Sequence, residues 1–126
     1  MQIEFENLTN ESFISSFGSK YIIVSNKKYF KAVIIYNNRI NNTVEENTLF
    51  SKDFLTDKIS GLSNSICDFI LFGTGHTVLN IPIEIINLIC KKKIPFEIMN
   101  SNSAYKTYNI LISQERKILA FLKLES

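Results

Sequence analysis

The sequence is poor in the residues from which metal and redox sites are built. Its 126 residues include two cysteines and one histidine, and tryptophan is absent. Cys67 and Cys90 form no CxxC pair, and a single histidine cannot complete a zinc site with them. We therefore expect no metal and no cofactor, and we expect both cysteines to be reduced and buried in the core.

Long apolar runs and a basic leader are also missing. No run approaches the roughly 20 apolar residues that a membrane-spanning helix requires. The N-terminal residues MQIEFENLTNESF are acidic, and the first basic residue is Lys20. That pattern fits neither a signal peptide nor an Arg-rich mitochondrial presequence. The sequence thus predicts a cytoplasmic protein without a membrane span, with residues 1–12 as a loose or edge segment.

Charge of one sign is not in large excess. The formal net charge is +2, from 14 basic and 12 acidic residues. A nucleic-acid-binding domain usually shows a basic stripe or a pI above 9, so no nucleic-acid partner is predicted. The basic run at residues 91–93 has two interpretations. It is a solvated helix end, where cations complement the helix dipole, or a patch that contacts phosphate.

Apolar residues, by contrast, are plentiful, at 45% of the chain. A chain of this length buries about two-thirds of its unfolded surface, which suffices for one core without disulfides. The sequence contains no repeat, linker or low-complexity stretch. Residues 1–126 are therefore predicted to form a single compact domain.

The first half of the chain predicts mainly β structure. Residues 21–25 and 29–36 are rich in β-branched and aromatic side chains, and Asn26 lies between them. Asn tolerates the left-handed conformation of tight turns, so a β-hairpin is predicted here. A further short strand is predicted within residues 40–49, followed by a short helix capped by Thr56.

The second half alternates strands and helices. The apolar run at residues 68–72 indicates a strand covered on both faces. Pro82 opens a helix, and residues 96–99 form a second short buried strand. The apolar stripe of this helix contains Ile85, Leu88 and Ile89. Strand, helix and strand in this order predict a right-handed βαβ unit.

A third helix and a last strand complete the predicted α/β fold. Asn100 or Ser101 can cap the helix. Its core face contains Ala104, Tyr108, Leu111 and Ile112. Residues 118–122 form the closing strand.

The segment Gly73-Thr74-Gly75-His76 is the candidate binding loop. Two glycines after a buried strand permit positive φ and close backbone approach, and exposed amides there can bind an anion. Parallel strands end at one edge of a sheet, so this loop should lie near the helix that carries Lys106. The sequence predicts a ligand-binding crevice lined by Gly73, Thr74, Gly75, His76 and Lys106. The other interpretation is a tight turn, with Lys106 solvated.

Catalytic residues are not predicted. His76 is the only side chain whose ordinary pKa lies near neutral pH. It has no orienting partner that the sequence reveals, and the scattered carboxylates show no pairing typical of acid–base catalysis.

The second half of the chain also resembles a known family. The matching segments are FILFGTG at 69–75, Pro82, IPFEIMNS at 94–101, AYKTYNIL at 104–111 and Arg116. They are similar to the small domain-of-unknown-function family that includes the mitochondrial assembly factor for respiratory complex I. The human adipogenesis-associated domain protein and many bacterial and archaeal hypothetical proteins belong to the same family.

This resemblance implies a three-layer α/β fold with a mixed central sheet and a ligand or partner crevice near Gly73. The chain departs from the family at Lys106, where Arg is usual. Lys cannot reproduce the bidentate fork that Arg offers to an anion.

Two functions follow as hypotheses. The first is a non-catalytic protein that binds a protein partner or assists assembly, as the resemblance implies. The second is a protein that binds a small anion or small molecule in the predicted crevice, as an enzyme or as a binding protein.

Overall fold

The computed structural model describes residues 12–125, so of the segment predicted to be loose only Ser12 is included. The chain begins with β1 (Ile14–Gly18), β2 (Tyr21–Val24), β3 (Lys27–Tyr29), β4 (Val33–Tyr36) and β5 (Arg39–Asn41). Two helices, α1 (Glu46–Leu49) and α2 (Lys52–Ile59), precede β6 (Phe69–Gly73). The remaining elements are α3 (Ile83–Lys91), β7 (Phe96–Met99), α4 (Ser101–Ser113) and β8 (Ile118–Leu122).

The central sheet has five strands in the order β5-β4-β8-β6-β7. Strand β4 pairs antiparallel with β5 and β8, whereas β6 pairs parallel with both β8 and β7. The predicted mixed sheet and the βαβ unit formed by β6, α3 and β7 are thus confirmed. Strands β1 to β3 form a separate antiparallel sheet.

Two apolar cores lie on opposite faces of the central sheet, which gives the predicted three layers. Along β6, Ile70 and Phe72 face α2 and α3, whereas Leu71 faces α4 and the three-stranded sheet. All three side chains have no exposed surface. A central strand covered on both faces reads as a continuous apolar run, which is why the sequence identified β6.

The predicted hairpin is formed by β2 and β3, but its second strand is shorter than predicted. Ser25 and Asn26 form the turn with positive φ angles of 51° and 68°, as a two-residue turn of this kind requires. Residues 29–36 are not one strand, because the chain leaves the small sheet after Tyr29 and enters the central sheet at Val33. The apolar run crosses from one sheet to the other and conceals this break.

The short strand predicted within residues 40–49 is present but covers only residues 40 and 41 of that range, and the predicted cap of the next helix was wrong. The strand ends at Asn41, and residues up to 49 include α1 instead. The cap of α2 is Ser51, whose Oγ accepts a hydrogen bond from the Phe54 amide, and Thr56 lies inside the helix. Ser, Thr and Asp all favour caps and all occur here, so propensity alone could not select among them.

Strand β7 was predicted to be buried, and this was also wrong. It lies at the edge of the central sheet, with Phe96, Ile98 and Met99 partly exposed and Glu97 exposed. Hydropathy does not distinguish a covered strand from an edge strand with one covered face.

The helices α3 and α4 agree with the predicted pattern in most positions. Ile85 and Ile89 are fully buried, while Leu88 at the border of the stripe is partly exposed. Asn100 caps α4, since its Oδ1 accepts a hydrogen bond from the Ser103 amide at 2.9 Å. No helix between residues 12 and 125 has the length and apolar character required to span a bilayer.

Candidate functional site

Three elements meet at the carboxyl end of β6. The parallel register places Gly73 of β6 beside Leu122 of β8, and the Lys123 amide donates to the Gly73 carbonyl at 2.9 Å. Helix α4 begins next to them at Ser101. We call residues 73–76 the GTG loop, and its neighbours are therefore the ends of two strands and the start of one helix.

The two glycines of the GTG loop meet different requirements. A Cβ on Gly73 would lie 2.8 Å from the Ala104 Cβ, closer than side chains pack, so this position lets α4 approach the strand. Gly75 has a φ of +96°, which residues with a side chain rarely adopt. Both glycines therefore serve the local architecture.

Thr74 fastens the loop to its surroundings. It is 1% exposed, and its amide donates to the Met99 carbonyl at 2.9 Å. Its hydroxyl donates to the Thr77 carbonyl at 2.8 Å and accepts from the Leu79 amide at 3.1 Å. One side chain thus ties the loop to the end of β7 and to the segment that leads to α3.

Ser101 connects the loop to α4 and to the end of β8. This fully buried hydroxyl accepts from the Gly75 amide at 2.7 Å and donates to the Lys123 carbonyl at 2.5 Å. The Tyr105 hydroxyl donates to the same carbonyl at 3.1 Å, and burial raises the pKa of Tyr105 to about 12. The amides of Thr74 and Gly75 are consequently engaged within the protein.

The structure brings together only part of the predicted crevice. Gly73, Thr74 and Gly75 are buried against the start of α4, whereas His76 and Lys106 are exposed. Among residues 12–125, no hydrogen bond or ion pair joins Lys106 to the GTG loop. Ligand binding by these five residues stays a prediction.

A different lysine lies beside the loop. The Nζ of Lys123 is 3.5 Å from the position that a Cβ on Gly75 would occupy. Lys123 was missed because the sequence does not show which strand pairs with β6. Once β6 and β8 are recognised as parallel neighbours, the residues that follow them must lie side by side.

The outer edge of β7 is open within the part of the chain that the structure describes. The Pro95 carbonyl accepts from the Ile70 amide at 3.0 Å, and the Met99 carbonyl accepts from the Thr74 amide. Backbone groups alternate in direction along a strand, so those of Phe96 and Ile98 point away from β6. An open edge of this kind can pair with a further strand.

Exposed apolar side chains lie between the GTG loop and the start of α3. Val78, Leu79 and Ile83 are 61%, 43% and 64% exposed. Thr74 connects this segment to β7, because it is hydrogen-bonded to both the Leu79 amide and the Met99 carbonyl. We call β7 with Val78, Leu79 and Ile83 the edge surface. Clustered apolar exposure beside an open strand is typical of a protein-binding site.

Comparison with protein families assigns the chain to one of them. A family model described as a protein of unknown function (DUF498/DUF598) matches residues 14–123. The chain belongs to the DUF498/DUF598 family. The family resemblance predicted from the sequence is confirmed at this level.

Solved structures share the fold of this DUF498/DUF598 chain. The crystal structure of an outer membrane protein from Bartonella henselae has a TM-score of 0.78 and 19% identity, over 92% of this chain and 97% of that one. The solution structure of a Bordetella pertussis protein, described as a Mth938-like domain, has a TM-score of 0.74 and 16% identity, over 91% and 87%. A conserved hypothetical protein from Pyrococcus horikoshii gives 0.68 and 19%, over 90% and 98%.

A curated relative of the chain is the 13 kDa major membrane protein of Francisella tularensis subsp. holarctica. It is 43% identical over 51 residues, which are 40% of this chain and 42% of the relative. The match thus spans about two-fifths of the relative's length. A link to the complex I assembly factor and the adipogenesis-associated protein stays a prediction.

The cysteines of this DUF498/DUF598 chain differ from each other. Cys67 is buried as predicted, its Sγ lies 3.4 Å from the Phe69 carbonyl, and burial raises the pKa of its thiol. Cys90 is exposed, which corrects the prediction. It follows the buried Ile89 by one residue, and a step of about 100° around the helix turns it away from the core. Residues 12–125 contain no group of three or more His, Cys, Asp or Glu that could hold a metal ion.

Two surface grooves lie away from the GTG loop. One, of about 590 Å³, is lined in part by Phe30, Lys31 and Glu45. The other, of about 580 Å³, is lined in part by Tyr108 and Arg116. Neither includes a residue of the predicted crevice.

Proposed function

We propose that this protein is a non-catalytic partner-binding protein of the cytoplasm that assists assembly, and that it binds its protein partner through the edge surface. The observation that carries the proposal is the open edge of β7, whose end Thr74 ties to the segment with the exposed side chains Val78, Leu79 and Ile83. Main-chain hydrogen bonds from an added strand provide affinity, and pockets for alternate side chains provide specificity.

The edge surface favours a particular partner segment. An extended peptide would pair with the outward backbone groups of Phe96 and Ile98. Its apolar side chains would cover Val78 and Ile83, which are exposed in the chain alone. Glu97 is exposed on the same strand, and a basic residue opposite it would add a favourable cross-strand pair.

The GTG loop has a supporting role in this proposal. Thr74 holds both the end of β7 and the start of the apolar segment, so the loop fixes the two halves of the edge surface relative to each other. A binding surface held by buried hydrogen bonds loses less conformational entropy when the partner binds.

The relatives suggest where such a partner would be found. One is named an outer membrane protein and another a major membrane protein. The resemblance noted in the sequence includes an assembly factor for a membrane-bound respiratory complex. We therefore extend the proposal to assembly of a membrane-bound complex, with this chain acting from the cytoplasmic side.

Site-specific photocrosslinking in the native cell tests the edge surface. A crosslinking amino acid is placed at Val78, at Ile83, and at the control position Ile110, which is 58% exposed on α4. We expect one discrete protein adduct from Val78 and Ile83 and none from Ile110. Equal adducts at all three positions, or none at any, would contradict the proposal.

Binding of a small anion at the GTG loop is the second candidate, and the position of Lys123 Nζ beside Gly75 favours it. Titration with inorganic phosphate, followed by amide chemical shifts of residues 73–76, tests this function. If it is right, Lys123→Ala and Lys106→Ala each weaken binding while Lys91→Ala does not. If the chemical shifts do not change up to about 10 mM phosphate, this function is refuted, because a specific site should bind phosphate more tightly than that.

A further inference from the structure

The part of the chain that contains the small three-stranded sheet carries an uneven share of the protein's positive charge. Between residues 12 and 44 the sequence has five basic residues and no acidic one. The basic residues are Lys20, Lys27, Lys28, Lys31 and Arg39. Because the net charge of the whole chain is only +2, the rest of the chain is net acidic. The chain therefore has a strong charge asymmetry that its overall composition conceals.

The strand pattern turns part of this charge to the outer face of the sheet. Ile22, Val24 and Tyr29 are buried against α4, so the alternate residues of β2 and β3 face outward. Register pairs Ile23 with Lys28 on that outer face.

Aromatic rings surround the outward lysine. The Nζ of Lys28 lies 4.2 Å from the centre of the Tyr21 ring and 5.7 Å from that of Phe30. The Tyr21 ring in turn covers Gly18, where a Cβ would lie only 2.4 Å from its Cε2 atom. The cation–π contact with Tyr21 holds the Lys28 ammonium group over the ring instead of leaving it free in solvent.

Phe30 is the most exposed large apolar side chain among the residues that the structure describes. It is 68% exposed and follows β3 directly. Lys31 beside it is paired with Glu45 at 3.3 Å, so its charge is largely compensated. No ion pair in the described range holds Lys20, Lys27 or Lys28. We call Lys20, Tyr21, Lys28 and Phe30 the hairpin face, which leaves out Lys27 because it lies opposite the buried Val24.

We infer that the hairpin face binds the surface of an anionic lipid bilayer. Lys20 and Lys28, which no ion pair in the described range holds, match acidic headgroups, and the exposed Phe30 inserts at the boundary between headgroups and acyl chains. The inference does not rest on partner binding, because the edge surface belongs to the other sheet.

A bilayer fits this face better than a nucleic acid does. Stacking of bases requires free aromatic faces, and the face of Tyr21 is already occupied by Lys28. The groove next to Phe30 contains Glu45 and Glu46 beside Lys20 and Lys31, so it offers no net positive charge to a phosphodiester chain lying in it. A flat headgroup layer needs neither the ring face nor the groove.

Cosedimentation of the full chain with vesicles tests the inference. We expect binding to vesicles of phosphatidylcholine with about 30% phosphatidylglycerol, weak binding to phosphatidylcholine alone, and loss of binding at about 0.5 M NaCl. Lys20→Gln and Lys28→Gln should each weaken binding about fivefold. Phe30→Ser should weaken binding at every salt concentration at which the parent chain binds, because its contribution is apolar.

Matched controls make each outcome decisive. Lys91→Gln and Lys93→Gln remove equal charge at the end of α3, and Ile110→Ser removes an exposed apolar side chain from α4. These variants should bind as the parent does. The inference is overturned if they weaken binding as much as the hairpin variants, if both vesicles bind equally, or if a single-stranded oligonucleotide binds where vesicles do not. Glu97→Lys affects only the edge surface and should leave vesicle binding intact, so failure of either proposal is recognised separately.

Discussion

At the scale of single residues, the GTG loop shows how a conspicuous motif can serve architecture. Gly73 permits close approach of α4, Gly75 supplies a positive φ, and Thr74 makes hydrogen bonds to Met99, Thr77 and Leu79. The sequence signals for a binding loop and for a tight structural junction are the same, because both need glycine and a small hydroxyl side chain. Only the hydrogen-bond partners distinguish them.

Ser101 is the residue on which this junction depends most. Ser101→Ala leaves the buried Gly75 amide without its acceptor and removes one donor from the Lys123 carbonyl. We expect a loss of about 1–3 kcal/mol in the free energy of unfolding, measured by urea denaturation. Ser103→Ala is the control, because that side chain is exposed on the same helix. Equal stability of the two variants would show that Ser101 does not hold the junction.

The cysteines provide a second test at this scale. Cys90 is exposed, whereas Cys67 is buried and the pKa of its thiol is raised. Because the thiolate is the reactive form, a thiol reagent should label Cys90 rapidly and Cys67 slowly in the native protein. Mass spectrometry should find one label per chain before denaturation and two afterwards. Rapid double labelling of the native chain would contradict the burial of Cys67.

At the scale of elements, α3 shows that hydrophobic periodicity identifies the centre of a helix's core face but not how deeply residues at its border are buried. Ile85 and Ile89 are fully buried, but Leu88 at the edge of the stripe is partly exposed. Ile89→Ala should therefore cost about 2–5 kcal/mol of unfolding free energy, and Leu88→Ala about 1–2 kcal/mol. Urea denaturation of both variants measures the difference, and a larger cost at Leu88 would refute the placement of the stripe.

The elements also show how much of the fold the sequence contained. Strands β6 and β8, helix α4 with its Asn100 cap, and the hairpin turn at Asn26 were predictable, since each depends on local patterns. The division of residues 29–36 between two sheets was not, because it depends on which strand pairs with which. The edge position of β7 has the same origin, as does the proximity of Lys123 to Gly75.

At the scale of the whole molecule, the two proposed binding surfaces lie on different sheets. The edge surface is apolar with Glu97 exposed, whereas the hairpin face is aromatic and basic. Such a division would let one small domain contact a bilayer with one sheet and hold a protein segment with the other. Binding through the two surfaces should therefore respond differently to salt, because screening weakens binding by the basic hairpin face far more than binding by the apolar edge surface.

Stability at alkaline pH reports on the packing that joins the two sheets. Tyr105 lies between them, in edge contact with Phe17 and with its hydroxyl on the Lys123 carbonyl. Burial raises its pKa from 10.0 to about 12 in the folded state, so between these values the folded chain keeps a proton that the unfolded chain releases. The stabilisation is complete below about pH 10 and is lost as pH rises towards 12.

Tyr105 should lower the free energy of unfolding by about 2–3 kcal/mol between pH 10 and 12. Burial also raises the pKa values of Tyr36 and Cys67, so their ionisation acts in the same direction. Tyr105→Phe should therefore be less stable than the parent at neutral pH but lose less stability between pH 10 and 12. Urea denaturation at intervals across this range measures both slopes. Parallel slopes would mean that the Tyr105 hydroxyl ionises as easily in the folded chain as in the unfolded one, and that solvent reaches the contact between the sheets.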